Sequence, residues 1–238
     1  MDETYNLTAI VLNRRPYAED DGRVTVYSLE RGKLDLTVRG LKKIKSKLAG
    51  HLEPMTLVDI MAVRGRRHDY AGAAVSQECF GRIKNDLDKL TIAGQAVGVF
   101  NKLVKAGEAD QGLFALLKDF LQLLNLDTRC PLDAECLNSF FILKLLVELG
   151  YRPELDNCLG CGKKIMPGHN FFNPAKGGLF CSNCPSNSGS LEISDDAIKL
   201  LRLAISCKLA GLIKIKISDR LEKEIMNIVN CFFQYYQG

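Results

Sequence analysis

Arg23-Val24-Thr25-Val26-Tyr27-Ser28-Leu29-Glu30-Arg31-Gly32-Lys33-Leu34-Asp35-Leu36-Thr37-Val38-Arg39 is the stretch that decides how the chain begins to fold. Val24, Val26 and Ser28 alternate with Arg23, Thr25 and Tyr27, and Leu34, Leu36 and Val38 alternate with Lys33, Asp35 and Thr37. A period of two is the mark of strands that bury one face. Glu30-Arg31-Gly32 between the two runs suits a short hairpin connection.

Working outward, similar runs rich in Val, Ile, Thr and Tyr occur at Leu7 to Leu12, Met55 to Val63 and Asp69 to Ser76. Five short strands in one small region predict a closed or partly closed barrel, because an open sheet of that size would expose its edges. An oligonucleotide-binding barrel is the natural candidate, with an SH3-like barrel among the alternatives. After Cys79 the periodicity changes. Ile92, Ala96, Val99, Phe100, Leu103 and Val104 recur at helical spacing, as do Leu113, Leu116, Leu117, Phe120, Leu121 and Leu124. These two helices each carry one apolar stripe and belong on the outside of a bundle. From about Asp133 to Leu149 the chain is apolar almost all round, which predicts a central helix ended by Gly150 and Pro153. Ser194 and Ser218 look like N-caps of two further helices, the last with Leu221, Ile225, Ile228, Phe232 and Tyr235 as its stripe. Ile213, Ile215 and Ile217 alternate with lysines as a short strand or an extended linker would. The fold class expected is α+β: a barrel over 1–79, helices over 80–157, a cysteine module over 158–187 and helices again over 188–238.

That module is defined by Cys158-Leu159-Gly160-Cys161 and Cys181-Ser182-Asn183-Cys184. Each Cys-x-x-Cys pair offers two thiolates from one tight turn, and two such pairs make a tetrahedral Zn²⁺ cage. Cys158, Cys161, Cys181 and Cys184 are therefore expected to hold one zinc per chain. With four thiolates there is no open position to activate water, so the zinc would be structural. Residues 170–180 read as a hairpin between the pairs, and His169 as a loop residue. The other cysteines, Cys79, Cys130, Cys136, Cys207 and Cys231, lack ligand spacing and are expected to be small core residues.

The net charge is only +4, but its distribution is uneven. From Arg31 to Lys47 seven basic residues stand against one acid, Asp35. Arg39, Lys42, Lys43, Lys45 and Lys47 follow the third strand, Arg14 and Arg15 end the first, and Arg64, Arg66 and Arg67 precede the fifth. Tyr17, Tyr27 and Tyr70 fall among them. Basic side chains that track a backbone, with tyrosines for base stacking, are the parts of a single-strand site. The acid pairs Asp20-Asp21 and Asp195-Asp196 suit a solvated turn and a helix first turn. No phosphate-binding loop, dinucleotide fingerprint, nucleophile elbow or His-Glu-x-x-His occurs, and three histidines are a thin supply of general bases. An enzyme is not expected. The polar, acidic start Met1-Asp2-Glu3-Thr4 is unlike a signal peptide, and the longest nearly apolar run is too short for a bilayer, so a cytoplasmic protein is expected.

Leu149-Gly150-Tyr151-Arg152-Pro153-Glu154-Leu155 leading into Cys158-x-x-Cys161-Gly162, together with Arg39-Gly40-Leu41-Lys42-Lys43 after the third strand, resembles the bacterial RecO family of recombination mediators. The likeness covers essentially the whole chain. It implies an oligonucleotide-binding fold followed by a helical domain with a zinc knuckle. It also implies binding of single- and double-stranded DNA, annealing of complementary strands and help in loading RecA onto strands coated by single-strand-binding protein. The partners implied are RecR and the acidic C-terminal tail of single-strand-binding protein, in a bacterial cytoplasm near the nucleoid. Two other classes fit the same residues: a zinc-containing RNA-binding barrel of translation or ribosome assembly, and a scaffold whose basic loop meets an acidic protein tail.

Overall fold

Val11, Val24, Val26, Leu36, Val38 and Ile60 share one apolar core, and their two-residue period sets the strands that carry them. The computed structural model describes residues 3–107, 109–126, 133–184 and 189–236. Cys130 lies outside them. Five strands, β1 (Thr4–Pro16), β2 (Gly22–Ser28), β3 (Gly32–Val38), β4 (Leu57–Val63) and β5 (Tyr70–Glu78), close in the order β1-β2-β3-β5-β4. All pairs are antiparallel except β3 with β5, which meet in parallel at Thr37 and Tyr70. Closure depends on β1 serving two neighbours. Thr4 to Ile10 pair with β4 and Ala9 to Pro16 pair with β2, and a register shift between Val11 and Asn13 lets the strand bend from one partner to the other.

Alternation in β2 and β3 foretold one buried face, but the outer face of β2 is covered as well. Helix α2 (Leu87–Leu103) lies there, with Phe100 edge-on to Tyr27 at 5.0 Å, and leaves Tyr27 1% exposed. The Lys33 Nζ donates to the carbonyl oxygens of Asn101 and Val104 at the end of α2. A cation suits unpaired carbonyls at a helix C-terminus. The helices of this part begin on side-chain caps. Asp86 accepts from the backbone N–H groups of Asp88 and Lys89 to start α2, and Asp110 accepts from Leu113 to start α3 (Gln111–Leu124). A single turn, α1 (Gly81–Lys84), precedes them.

The chain divides into two compact units, Met1–Asn125 and Leu126–Gly238. In the second, α4 (Ala134–Glu148) is the central helix that its all-round apolar sequence predicted, and it packs against α5 (Asp195–Ser206), α6 (Leu209–Leu212) and α7 (Asp219–Gln234). It ends as Gly150 foretold. Gly150 has φ +91°, its N–H reaches the carbonyl of Val147, and the N–H of Tyr151 reaches that of Leu146. Ser194 and Ser218 cap α5 and α7 through the N–H groups of Ala197 and Leu221. One expectation changes here, and of the strand and linker readings of 213–217 the strand is not formed. Tyr235 is exposed, and Tyr236 is the residue that packs, against Tyr151 at 4.4 Å and Phe232 at 5.1 Å. Residues 213–217 form neither strand nor helix but lead out of α6. A small sheet, β6 (Asn170–Asn173), β7 (Gly178–Cys181) and β8 (Leu191–Ile193), in the order β7-β6-β8, adds a third strand to the expected hairpin.

Candidate nucleic-acid interface and metal centre

The basic residues foreseen in the first unit come from three connections of the barrel. Residues 39–56, between β3 and β4, include Leu41 and Leu52, both of which enter the barrel core. Those two anchors hold the loop down and leave Arg39, Lys42, Lys43, Lys45 and Lys47 exposed along it. The turn between β1 and β2 lies against this loop. Asp21 Oδ1 accepts from the N–H of Gly40 at 2.8 Å, and the N–H of Lys42 donates to the carbonyl of Asp20 at 2.9 Å. Lys42 Nζ donates to the carbonyls of Ala18 and Glu19, and Lys43 pairs with Asp20 at 3.4 Å. The acids read as solvated turn residues therefore anchor the basic loop. Lys45 and Lys47 make no ion pair among the described residues.

Arg14, Arg15 and Lys42 meet around a cleft of about 290 Å³, lined also by Pro16, Gly22 and Leu41. Arg14 Nη1 donates to the carbonyl of Ala49 at 3.0 Å, and Arg15 pairs with Asp35 at 2.9 Å. Gly22 lies against Leu41 in this cleft, and a Cβ there would stand 2.3 Å from Leu41 Cδ2, so a side chain would displace that leucine. Arg64, Arg66 and Arg67 occupy the connection between β4 and β5. Arg64 pairs with Glu3 at 2.6 Å, whereas Arg66 and Arg67 are exposed. Asp69 shapes this turn by accepting from Tyr5 Oη and from the N–H of Gly65.

The three tyrosines separate. Tyr27 is buried against Phe100 and is not available for stacking, because α2 covers the outer face of β2. Tyr70 is half-buried with the Arg39 guanidinium 4.8 Å from its ring centroid. Tyr17 is 52% exposed, stands perpendicular to His68 at 6.4 Å, and has the Arg23 guanidinium 4.7 Å from its ring. The Tyr17–His68 pair brings the turn after β1 beside the turn after β4. Arg23 is the residue that sequence reasoning left out of the site. The signal was available in its outward register position in β2, one turn away from Tyr17.

In the second unit, Cys158, Cys161, Cys181 and Cys184 bring their sulfurs within 4.8 Å of one another. Cys161 and Cys181 are 3.9 Å apart, close to the edge of about 3.8 Å that a tetrahedron with Zn–S distances near 2.3 Å requires. Backbone N–H groups of Gly160 and Cys181 donate to Cys158 Sγ, each at 3.3 Å. Gly160 must lack a side chain, since a Cβ would lie 2.9 Å from Cys184 Sγ. Burial pushes the Cys158 thiol up, but N–H groups of Cys181, Cys161 and Gly160 outweigh it and bring the group down to about 6. Cys184 is pushed up to about 12, first by hydrogen bonding with Cys161 and then with Cys158. Four sulfurs this close cannot all be thiolates without a cation among them, so the donor set suits a metal ion. His169 lies outside the cluster and pairs with Glu192 at 3.2 Å. Of the remaining cysteines, Cys136 is buried as expected. Cys79 directly follows β5 and is exposed, Cys207 ends α5 and Cys231 lies within α7, both half-buried.

The module is fastened to two helices. Arg202 of α5 donates through Nε and Nη2 to the carbonyl of Leu155, Phe172 of β6 lies edge-on to Phe232 of α7 at 5.7 Å, and β8 runs directly into the Ser194 cap of α5. Among the described residues no helix is long and apolar enough to cross a membrane.

Comparison with known proteins finds relatives for nearly the whole chain. Residues 1–72 match the family model for the N terminus of recombination protein O, and residues 84–238 match that for its C terminus. Three proteins named DNA repair protein RecO are similar along most of their length. That of Desulforamulus reducens is 32% identical, with 98% of this chain and 89% of the relative aligned. That of Pelotomaculum thermopropionicum is 29% identical over the same shares, and that of Roseiflexus is 30% identical over 94% of this chain and 78% of the relative. With both halves matched by family models and a relative above 30% identity over nearly the whole chain, the protein belongs to the RecO family of DNA repair proteins.

Proposed function

We propose that the protein is a DNA-binding recombination mediator, which holds single- and double-stranded DNA on the basic rim of its barrel and anneals complementary strands. The observation that carries this reading is the convergence of three basic connections at the turn of Tyr17. The strand order, with β3 parallel to β5 and β1 closing on β4, supports an oligonucleotide-binding fold, and in such folds the turns after β1 and β4 are among the binding elements. Arg14, Arg15, Arg39, Lys42, Lys43, Lys45, Lys47, Arg64, Arg66 and Arg67 would meet phosphates. Annealing then needs no bond chemistry. Cations shared between two strands lower their mutual repulsion, and complementary bases can meet. The family relationship supports help in loading RecA on coated strands, with RecR and the tail of single-strand-binding protein as partners, in the cytoplasm. One structural zinc on Cys158, Cys161, Cys181 and Cys184 would complete the second unit. When bound, it supplies a fixed charge that allows four thiolates to coexist.

Replacing Lys42, Lys43, Lys45 and Lys47 together by Ala tests the site. The slope of log affinity against log salt for a single strand should flatten by about 1 to 3, at roughly 0.7 per phosphate contact, and annealing should slow. Unchanged slope and unchanged annealing would remove this loop from the interface. Tighter binding of structured RNA than of single-stranded DNA would favour the RNA-binding alternative.

A further inference from the structure

We propose that Tyr17 lets the barrel sense whether a base is paired, so that an unpaired strand is held more tightly than the annealed product. This rests on the DNA-binding reading above. Lysines and arginines on the rim meet phosphates, and a phosphate is the same group in one strand or two. They respond to charge density, which is higher in the duplex, and so cannot favour the unpaired strand. A base face differs between the two states. In a duplex it is covered by its stacked neighbours and reaches a protein ring only by flipping out, whereas an unpaired base is free to stack.

Tyr17 is built for that contact. Half of it is in solvent, while Tyr27 is buried and Tyr70 is half-buried under Arg39. The ring is held in place by its neighbours on the rim. The Arg23 guanidinium lies 4.7 Å from its centroid, His68 stands edge-on, and the Tyr17 N–H is fixed to the carbonyl of Asp21 at 3.2 Å. Arg23 is half-buried in β2. Its Nε and Nη2 are shut off from solvent and have no hydrogen-bond partner among the described residues, so the aromatic face is its principal partner. A partly desolvated cation against a ring fixes the ring's position. The stack is also placed correctly, because Tyr17 directly follows Arg14, Arg15 and Pro16 of the basic cleft. A strand with its phosphates on that cleft would bring a base to the ring.

The test is equilibrium binding of the full chain, followed by fluorescence anisotropy, to a labelled single strand and to its duplex at one salt concentration. Tyr17→Ala should weaken single-strand binding by about 5- to 160-fold, the range for loss of one stacked base, and leave duplex binding unchanged. Tyr17→Phe, which keeps the ring, should stay within about twofold of the parent. A single strand carrying 2-aminopurine should lose fluorescence on binding the parent and Tyr17→Phe, and keep it with Tyr17→Ala. If Tyr17→Ala weakens both DNAs by the same factor, or neither, the stack is overturned while DNA binding stands. If the parent binds neither DNA, the DNA-binding reading falls, and this proposal with it.

Discussion

Asp69 shows how much of the candidate interface depends on single side chains. Its carboxylate accepts from Tyr5 Oη and from the N–H of Gly65, and its carbonyl accepts from Thr37 at 2.8 Å. One residue therefore ties β1, β3 and the arginine turn together. Tyr5 pays an electrostatic price for this: burial first, then the Asp69 carboxylate, raise its hydroxyl from 10.0 to about 12. The folded protein keeps a proton there that the unfolded chain has already lost above pH 10. Stability from this bond is thus complete below pH 10 and declines as pH rises toward 12. Tyr5→Phe should be less stable at neutral pH and lack that component of the alkaline decline, as followed by denaturant unfolding at a series of pH values. Gly160 is a second such position. Gly160→Ala would push a methyl into Cys184 Sγ, and metal retention against a competing chelator should drop by about 10-fold or more, the loss typical of a disturbed ligand shell.

At the scale of elements, sequence periodicity described one face of each strand or helix well and what covers the other face poorly. Val24 and Val26, or Leu36 and Val38, announced their strands because one side of each had to be apolar. Tyr27 was legible as an outward residue. That α2 would return to cover it depends on the path of the chain after β5, which no local pattern contains. Leu41 was read as part of a basic loop and Leu52 drew no reading, although both secure that loop in the barrel. The three-residue β8 and the single turns α1 and α6 are too short to show a period at all. Tyr235 and Tyr236 differ by one position at the frayed end of α7, where helical phase is least defined. The cysteine module was more legible, because two tight turns with four sulfurs have few alternative uses. Its connections to α5 and α7 yield an element-scale expectation. Removing metal with a strong chelator should expose the amides of β6, β7, β8 and the start of α5 to hydrogen exchange, while β1 to β5 keep their protection. Equal loss in both would contradict a local role for the metal.

For the molecule as a whole, a net charge of +4 predicted little, and the position of the charges predicted much more. The ten basic residues inferred from sequence all lie on the connections or strand ends of the barrel unit, yet they are not equivalent in three dimensions. Arg15, Lys43 and Arg64 have carboxylate partners at 2.9, 3.4 and 2.6 Å, whereas Lys45 and Lys47 have none among the described residues. Sequence displays charge as a list. Folding decides which charges are already answered.

The contact of Asp20 with Lys43, beside the Lys42 ammonium on the carbonyls of Ala18 and Glu19, therefore gives the rim a tethered counter-ion of its own. An incoming phosphate at those two lysines would exchange places with a protein oxygen and release fewer dissolved ions than a bare ammonium would. The salt response of the loop should then be shallower than its number of lysines suggests, with Lys45 and Lys47 supplying most of the slope. Asp20→Asn would free one more cation and steepen it.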